Sequence, residues 1–171
     1  MKRCSQCFLY AAVFLLTCLV AGSGVAVGQS TADVAIVVHP DVPLADLSLA
    51  ELRKIFMGDR QYWTTDLRIT LLVRAPVARE RDVVLKTIYQ MTEAQFRQHW
   101  IGKVFRADVP SGPKIVYSNE MAIDQVSRTP GAIAFIETPV VSRAVKVLKV
   151  DDRLPGQAGW RIIKGMRKAA G

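Results

Sequence analysis

Arg74 is the residue whose type and position best suit it to do chemistry. It follows an apolar run, Ile69 to Val73, that reads as a buried strand, and near Ala78 a helix is expected to begin. A helix start presents unbonded N–H groups and the positive end of the helix dipole, which together attract an anion. A guanidinium beside it adds a full charge and paired donors. A second place of this kind follows at Ser118-Asn119, where a hydroxyl residue opens another helix. The candidate anion-binding residues are therefore Arg74, Ala78, Ser118 and Asn119. Arg74 would neutralise charge, the amides near Ala78 would bind oxygens, and Ser118 and Asn119 would complete the site. Glu80 works against this, since a carboxylate facing the pocket would repel an oxyanion.

Other chemistries lack their residues. His39 and His99 stand apart, without partner ligands at metal-site spacing. His39 ends a strand beside a loop, and His99 adjoins Trp100 on an expected helix surface. The sequence holds no Gly-x-Ser-x-Gly and no nucleotide phosphate loop. Asp151-Asp152 reads as a strand-end turn. The three cysteines, Cys4, Cys7 and Cys18, all precede residue 29. A chain starting there has no disulfide, thiolate metal site or thiol nucleophile. No catalytic residue, metal or cofactor is expected, and the chain reads as a non-enzyme.

The elements that must position these residues alternate. Val34 to His39 is a short β-branched strand, and Pro40 to Asp46 a loop. Ser48 with Glu51 forms a capping box that opens a helix carrying Leu49, Leu52, Ile55 and Phe56 on one face, stopped at Gly58. Ala78 to Gln90 is expected to be helical, with Val84, Leu85 and Ile88 inward. Thr92 with Gln95 is a second capping box, followed by Phe96 and Trp100 on one side. Ile115 to Tyr117 is a short strand, Ser118 caps a helix to about Arg128, and Pro130-Gly131 ends it. Ala132 to Ile136 and Ala144 to Val150 are further strands. Strands alternating with helices predict an α/β domain with a mostly parallel sheet. Ile55, Phe56, Trp100, Phe105 and Ile133 are expected in its core, with Trp63.

The amino terminus reads as an export signal over residues 1–28. Met1-Lys2-Arg3 is a basic start, Cys7 to Val20 is almost wholly apolar, and Ala26 and Gly28 are small residues suited to cleavage. Residues 29–171 then form one domain, expected in the periplasm. Of 23 Lys and Arg, two lie in the signal, which leaves 21 against 15 Asp and Glu, a charge of +6. Such a balance favours oxyanions or acidic envelope partners. Arg53, Lys54, Arg79, Arg81, Lys86 and Arg97 are expected on solvated helix faces. Arg161, Lys164, Arg167 and Lys168 make a basic end suited to a surface partner. No aromatic and basic residues interleave as nucleic-acid binding would require.

Read in order, Leu47-Ser48 through Ile55-Phe56-Met57-Gly58, then Trp63, then Ile69 to Arg74 resembles periplasmic phosphate-binding proteins, the substrate-binding components of phosphate ABC transporters. Trp100 with Phe105, Thr129-Pro130-Gly131-Ala132-Ile133-Ala134-Phe135 and Lys146-Val147-Leu148 continue the resemblance over about residues 34 to 162. It implies a type 2 periplasmic-binding-protein fold with one near-complete lobe and a reduced second lobe. It also implies an exported phosphate- or oxyanion-binding protein, with an ABC transporter permease or another envelope protein as partner. Full-length relatives carry Ser-Gly-Thr at the helix start after the arginine. Here that loop is Arg74-Ala75-Pro76-Val77-Ala78-Arg79-Glu80, and the relatives' early Gly- and Ser-rich stretch has no counterpart. The second expectation is thus a degenerate binding-protein fold acting as an envelope interaction module with no small ligand.

Overall fold

The protein, seen in a computed structural model, is described for residues 33–160 and 162. The expected signal at residues 1–28 and the basic end from Arg161 to Lys168 lie outside the described residues, Ile162 excepted. A five-stranded sheet organises the rest. Its order is β4 (Lys114–Val116), β3 (Thr70–Arg74), β5 (Ala132–Glu137), β1 (Val34–Val38) and β6 (Lys146–Val147). β3 pairs in parallel with both β4 and β5, while β1 runs antiparallel to β5 and β6. Four strands therefore point one way and β1 alone opposes them, which makes the sheet mostly parallel. A parallel two-stranded ribbon, β2 (Asp46–Leu47) with β7 (Lys149–Val150), stands beside it.

Both faces of the sheet are covered at its centre, so the inner strands β1, β3 and β5 are buried almost throughout rather than alternating. On one face Val34, Ile36, Val38, Val73, Ile133 and Phe135 pack with the helices before β4. These are α1 (Leu49–Phe56), α2 (Arg79–Val84) and α3 (Glu93–Phe105). On the other face Ala35, Val37, Ala132, Ala134 and Ile136 receive Ala122 and Val126 of α4 (Asn119–Arg128). The alanines on this second face let a single helix sit close to the sheet. The buried ribbon residues Leu47 and Val150 join the first core.

The helix starts form as their sequences dictate. Ser48 and Glu51 make a reciprocal capping box, as do Thr92 and Gln95. Gly58 ends α1 at φ +73°, and a Cβ there would meet the Trp100 ring at 2.9 Å. Gly131, at φ +74°, accepts a hydrogen bond on its carbonyl from Trp63 Nε1 at 2.9 Å. That bond ties the turn before β5 to the tryptophan upstream of β3.

Four expectations change. The helix expected over Ala78 to Gln90 is regular only over α2. It continues as a π-turn over Leu85–Tyr89 and stops at left-handed Gln90. The wider turn brings Ile88 and Tyr89 together into the core, where Tyr89 meets Phe56 and Phe96 edge to face. The strand expected over Ala144 to Val150 breaks at Leu148. Its N–H bonds to Ile36 O at 2.9 Å while the chain on either side joins a different sheet. Phe105, expected in the core, is 90% exposed at the end of α3, whereas Phe56 and Trp100 are buried. Arg81, expected in solvent, is 2% exposed, because Glu93 holds its guanidinium through two bonds of 2.9 Å.

Candidate functional site

Arg74 and Ser118 arrive at one end of the sheet because β3 and β4 are parallel and in register. Arg74 lies opposite Val116, so both strands finish at the same level, two residues before Ser118. Ser118 is the N-cap of α4, and its Oγ accepts from Met121 N at 3.0 Å. Arg74 Nη1 donates to Val116 O at 3.3 Å, which holds the guanidinium against the end of β4. Asn119, the first residue of α4, has its buried Oδ1 without a hydrogen-bond partner among the described residues.

Two carboxylates of the chain itself occupy this end. Arg74 Nε donates to Glu80 Oε1 at 2.5 Å, and both residues are buried. Glu80 sits in the first turn of α2, so the feature read from sequence as repulsive is in fact the arginine's partner. The second carboxylate is Glu120, in the first turn of α4. Its own backbone N–H, then the Ser118 hydroxyl, and more weakly the Arg74 charge hold its carboxyl below the ordinary carboxylate range. A carboxylate at a helix start is favoured by the same free amides and dipole that would favour an external anion.

Ala78 contributes differently from the expectation that named it. It is the N-cap of α2 without a side-chain cap. Its own N–H bonds to Ala75 O at 3.0 Å and its carbonyl accepts from Arg81 N at 3.1 Å. α2 is a six-residue α-helix before the π-turn, so its dipole is short. Arg81 supports the loop from below. It donates to Arg74 O at 2.6 Å and lies 4.6 Å over the Phe96 ring. The sequence singled out neither Glu120 nor the pair Arg81 and Glu93. Glu120 alone carried a local signal, an acidic residue in the first turn of a capped helix.

The remaining polar candidates are engaged locally. His39 Nδ1 accepts from Asp41 N at 3.1 Å, and His99 Nε2 lies 3.0 Å from Met57 O. Asp151 and Asp152 form a left-handed turn after β7, with Leu49 N bonded to Asp151 Oδ1 at 3.0 Å. Among the described residues no helix is long and apolar enough to cross a membrane.

No family model matches the sequence, and no curated protein matches it. Solved structures do. The chain is similar to an ABC-type phosphate transport receptor from Vibrio cholerae, at 20% identity and a TM-score of 0.59, over 72% of this chain and 48% of that one. It is similar to a putative phosphate ABC transporter substrate-binding protein with bound phosphate from Clostridium perfringens, at 20% identity and a TM-score of 0.58, over 71% and 46%. PstS from Borrelia burgdorferi matches at 18% identity and a TM-score of 0.58, over 72% and 49%. The chain spans about half the length of these receptors. Over that span it has the α/β fold of the substrate-binding proteins of phosphate ABC transporters.

Proposed function

We propose that the chain is an exported phosphate- or oxyanion-binding protein without catalytic activity, working in the periplasm with an ABC transporter permease or another envelope protein. Cleavage of residues 1–28 would release it, and N-terminal mass spectrometry of exported protein should find Gln29 first. The observation that carries the binding reading is the register of β3 with β4, which brings Arg74 to the Ser118 cap of α4. Charge, hydroxyl and free amides then converge at one end of the sheet, as oxyanion binding requires. The buried Asn119 Oδ1, unpartnered among the described residues, adds an acceptor oxygen, which suits an oxyanion that keeps a proton.

Glu120 competes for the same donors, so binding in the native chain should be micromolar or weaker. Calorimetric titration with phosphate tests this. Glu120→Gln should tighten binding by removing the competing charge, and Ser118→Ala should weaken it. Shifts of the amides around Ser118 should accompany the heat.

A second reading is favoured by a specific observation. Arg74 is already neutralised by Glu80, while Val77 is 96% and Tyr117 74% exposed at the same end. These features suit an envelope interaction module that takes no small ligand. Titration that leaves both native and Glu120→Gln protein without heat and without amide shifts selects this second reading.

A further inference from the structure

At the opposite end of β3 from Arg74 lies a cleft of about 350 Å³, between the start of β3, the loop before β4, and the ends of α1 and α3. β3 separates it from the Arg74 guanidinium by roughly 13 Å of strand, at about 3.3 Å per residue. Three cations line it, Arg60, Arg68 and Lys114, and no carboxylate does. Arg60 is fixed in place. Its Nε donates to Tyr62 O at 3.1 Å, its Nη2 to Trp63 O at 3.3 Å, and its guanidinium lies 5.9 Å from the Trp63 ring centre. Those bonds leave further guanidinium donors available. Arg68 and Lys114 meet no carboxylate among the described residues.

Of the nearby acids, Glu51 feels the Arg60 charge but is held by Ser48, and the other two are paired elsewhere. Asp59 is paired with Lys103 at 2.5 Å and Asp108 with Arg106 at 3.0 Å. The wall between the cations is apolar, formed by Ile55, Trp100 and Val109. A concavity of this size with an apolar wall and a few convergent polar groups is the usual form of a small-molecule site. Cations at its rim, of which Arg68 and Lys114 have no carboxylate partner among the described residues, select for negative charge.

We infer that the cleft between the start of β3 and the 109–113 loop binds a small organic anion carrying phosphate or carboxylate groups on an apolar frame, at a site separate from the Arg74 end. The charged groups would meet Arg60, Arg68 and Lys114, and the frame would lie against Trp100 and Val109. Inorganic phosphate alone would leave the apolar wall wet and gain little from it.

Phenyl phosphate serves as the probe, with inorganic phosphate as the control lacking the frame. Titrated into the whole chain and followed by amide shifts, phenyl phosphate should saturate and move Gln61, Thr70, Ser111 and Gly112. Inorganic phosphate should move them at least ten-fold less tightly. Arg68→Ala with Lys114→Ala should weaken phenyl phosphate by about ten-fold or more, the usual effect of losing charge-assisted bonds. Ser111→Glu, which places a carboxylate on the exposed rim without touching the core, should do the same. The inference is overturned by the absence of shifts in the cleft, by shifts that persist undiminished in both cleft variants, or by shifts confined to the Ser118 end. It does not depend on phosphate binding near Arg74, and either site can fail alone.

Discussion

Arg74 Nε and Glu80 Oε1 lie 2.5 Å apart, with side chains 9% and 5% exposed, inside the end of the sheet that carries the Ser118 cap of α4. Six residues of loop and helix start fold back so that an arginine meets the carboxylate of its own chain. Glu120 repeats the arrangement at the start of α4, on the Ser118 hydroxyl and a free amide. Both helix starts at this end thus hold internal anions. Over the matched span the fold of the phosphate receptors is kept, while carboxylates of the chain itself stand at both helix starts of this end.

Glu80→Gln should cost about 3–5 kcal/mol, because it leaves a buried guanidinium without its counter-charge. Replacing the whole pair, Arg74→Met with Glu80→Met, should recover most of that loss, since an apolar replacement avoids burying either charge. Urea midpoints of both variants measure the difference. A single variant within about 1 kcal/mol of the native protein would mean that water screens the pair, as at a surface.

Phe56 and Phe105 should separate cleanly. Phe56 is fully buried between Tyr89 and Phe135, with ring centres at 5.8 and 6.1 Å. Phe56→Ala should cost about 3–5 kcal/mol, the loss expected for emptying a large aromatic site. Phe105→Ala should stay within about 0.5 kcal/mol, as for a surface change. Thermal melts of the two variants would contradict the fold if they fell by similar amounts.

The sequence made local structure legible where the signal was local. Ser48 with Glu51 and Thr92 with Gln95 lie three residues apart, and each box forms as read. The β-branched run at β1 is buried on both faces for the reason its composition implies. Failures occurred where distant contacts decide. Arg81 looked solvated by helical spacing, but Glu93 and Arg74 O, brought near by the fold, draw it inside. Phe105 fitted an apolar position in a motif, yet the last turn of α3 runs past the core. Leu148 lies in one uninterrupted strand-like run, and only the placement of Ile36 and Ala45 reveals the switch between sheets. At the site, the strand register that unites Arg74 with Ser118 followed from the expected parallel sheet. The pairing of Arg74 with Glu80 did not, because sequence alone could not tell whether that carboxylate faced a ligand or the arginine.

Acid should reveal the capping carboxylates. The Ser48 hydroxyl and then its backbone N–H hold the Glu51 carboxyl below its ordinary 4.5, and Glu120 is lowered by its own amide and Ser118. A carboxyl that titrates lower in the folded than in the unfolded chain stabilises the fold above about pH 4.5. That contribution disappears as pH falls through the folded value. The double variant Glu51→Gln with Glu120→Gln should therefore lose less stability than the native protein between about pH 5 and 3. Urea midpoints across that range test it, and parallel curves would show that neither carboxylate is stabilised by its cap.

Gly131→Ala should be among the most damaging single-methyl additions in the chain. Gly131 has φ +74°, where an L-residue pays about 1–2 kcal/mol. The added Cβ would lie 2.2 Å from Arg68 O and 3.2 Å from Arg68 C, both backbone atoms that no rotamer change can move. The same residue bonds to Thr70 N at 3.1 Å and to Trp63 Nε1 at 2.9 Å through its carbonyl, so a shift would disturb the start of β3 and a buried indole together. The expected cost exceeds about 2 kcal/mol, with a change in tryptophan fluorescence as the Trp63 bond loosens. Gly112→Ala is the control, since a Cβ there meets nothing within 4 Å, and it should change stability by less than about 0.5 kcal/mol. Equal stability of the two variants would mean that the Arg68 backbone yields freely and that the turn before β5 does not fix the start of β3.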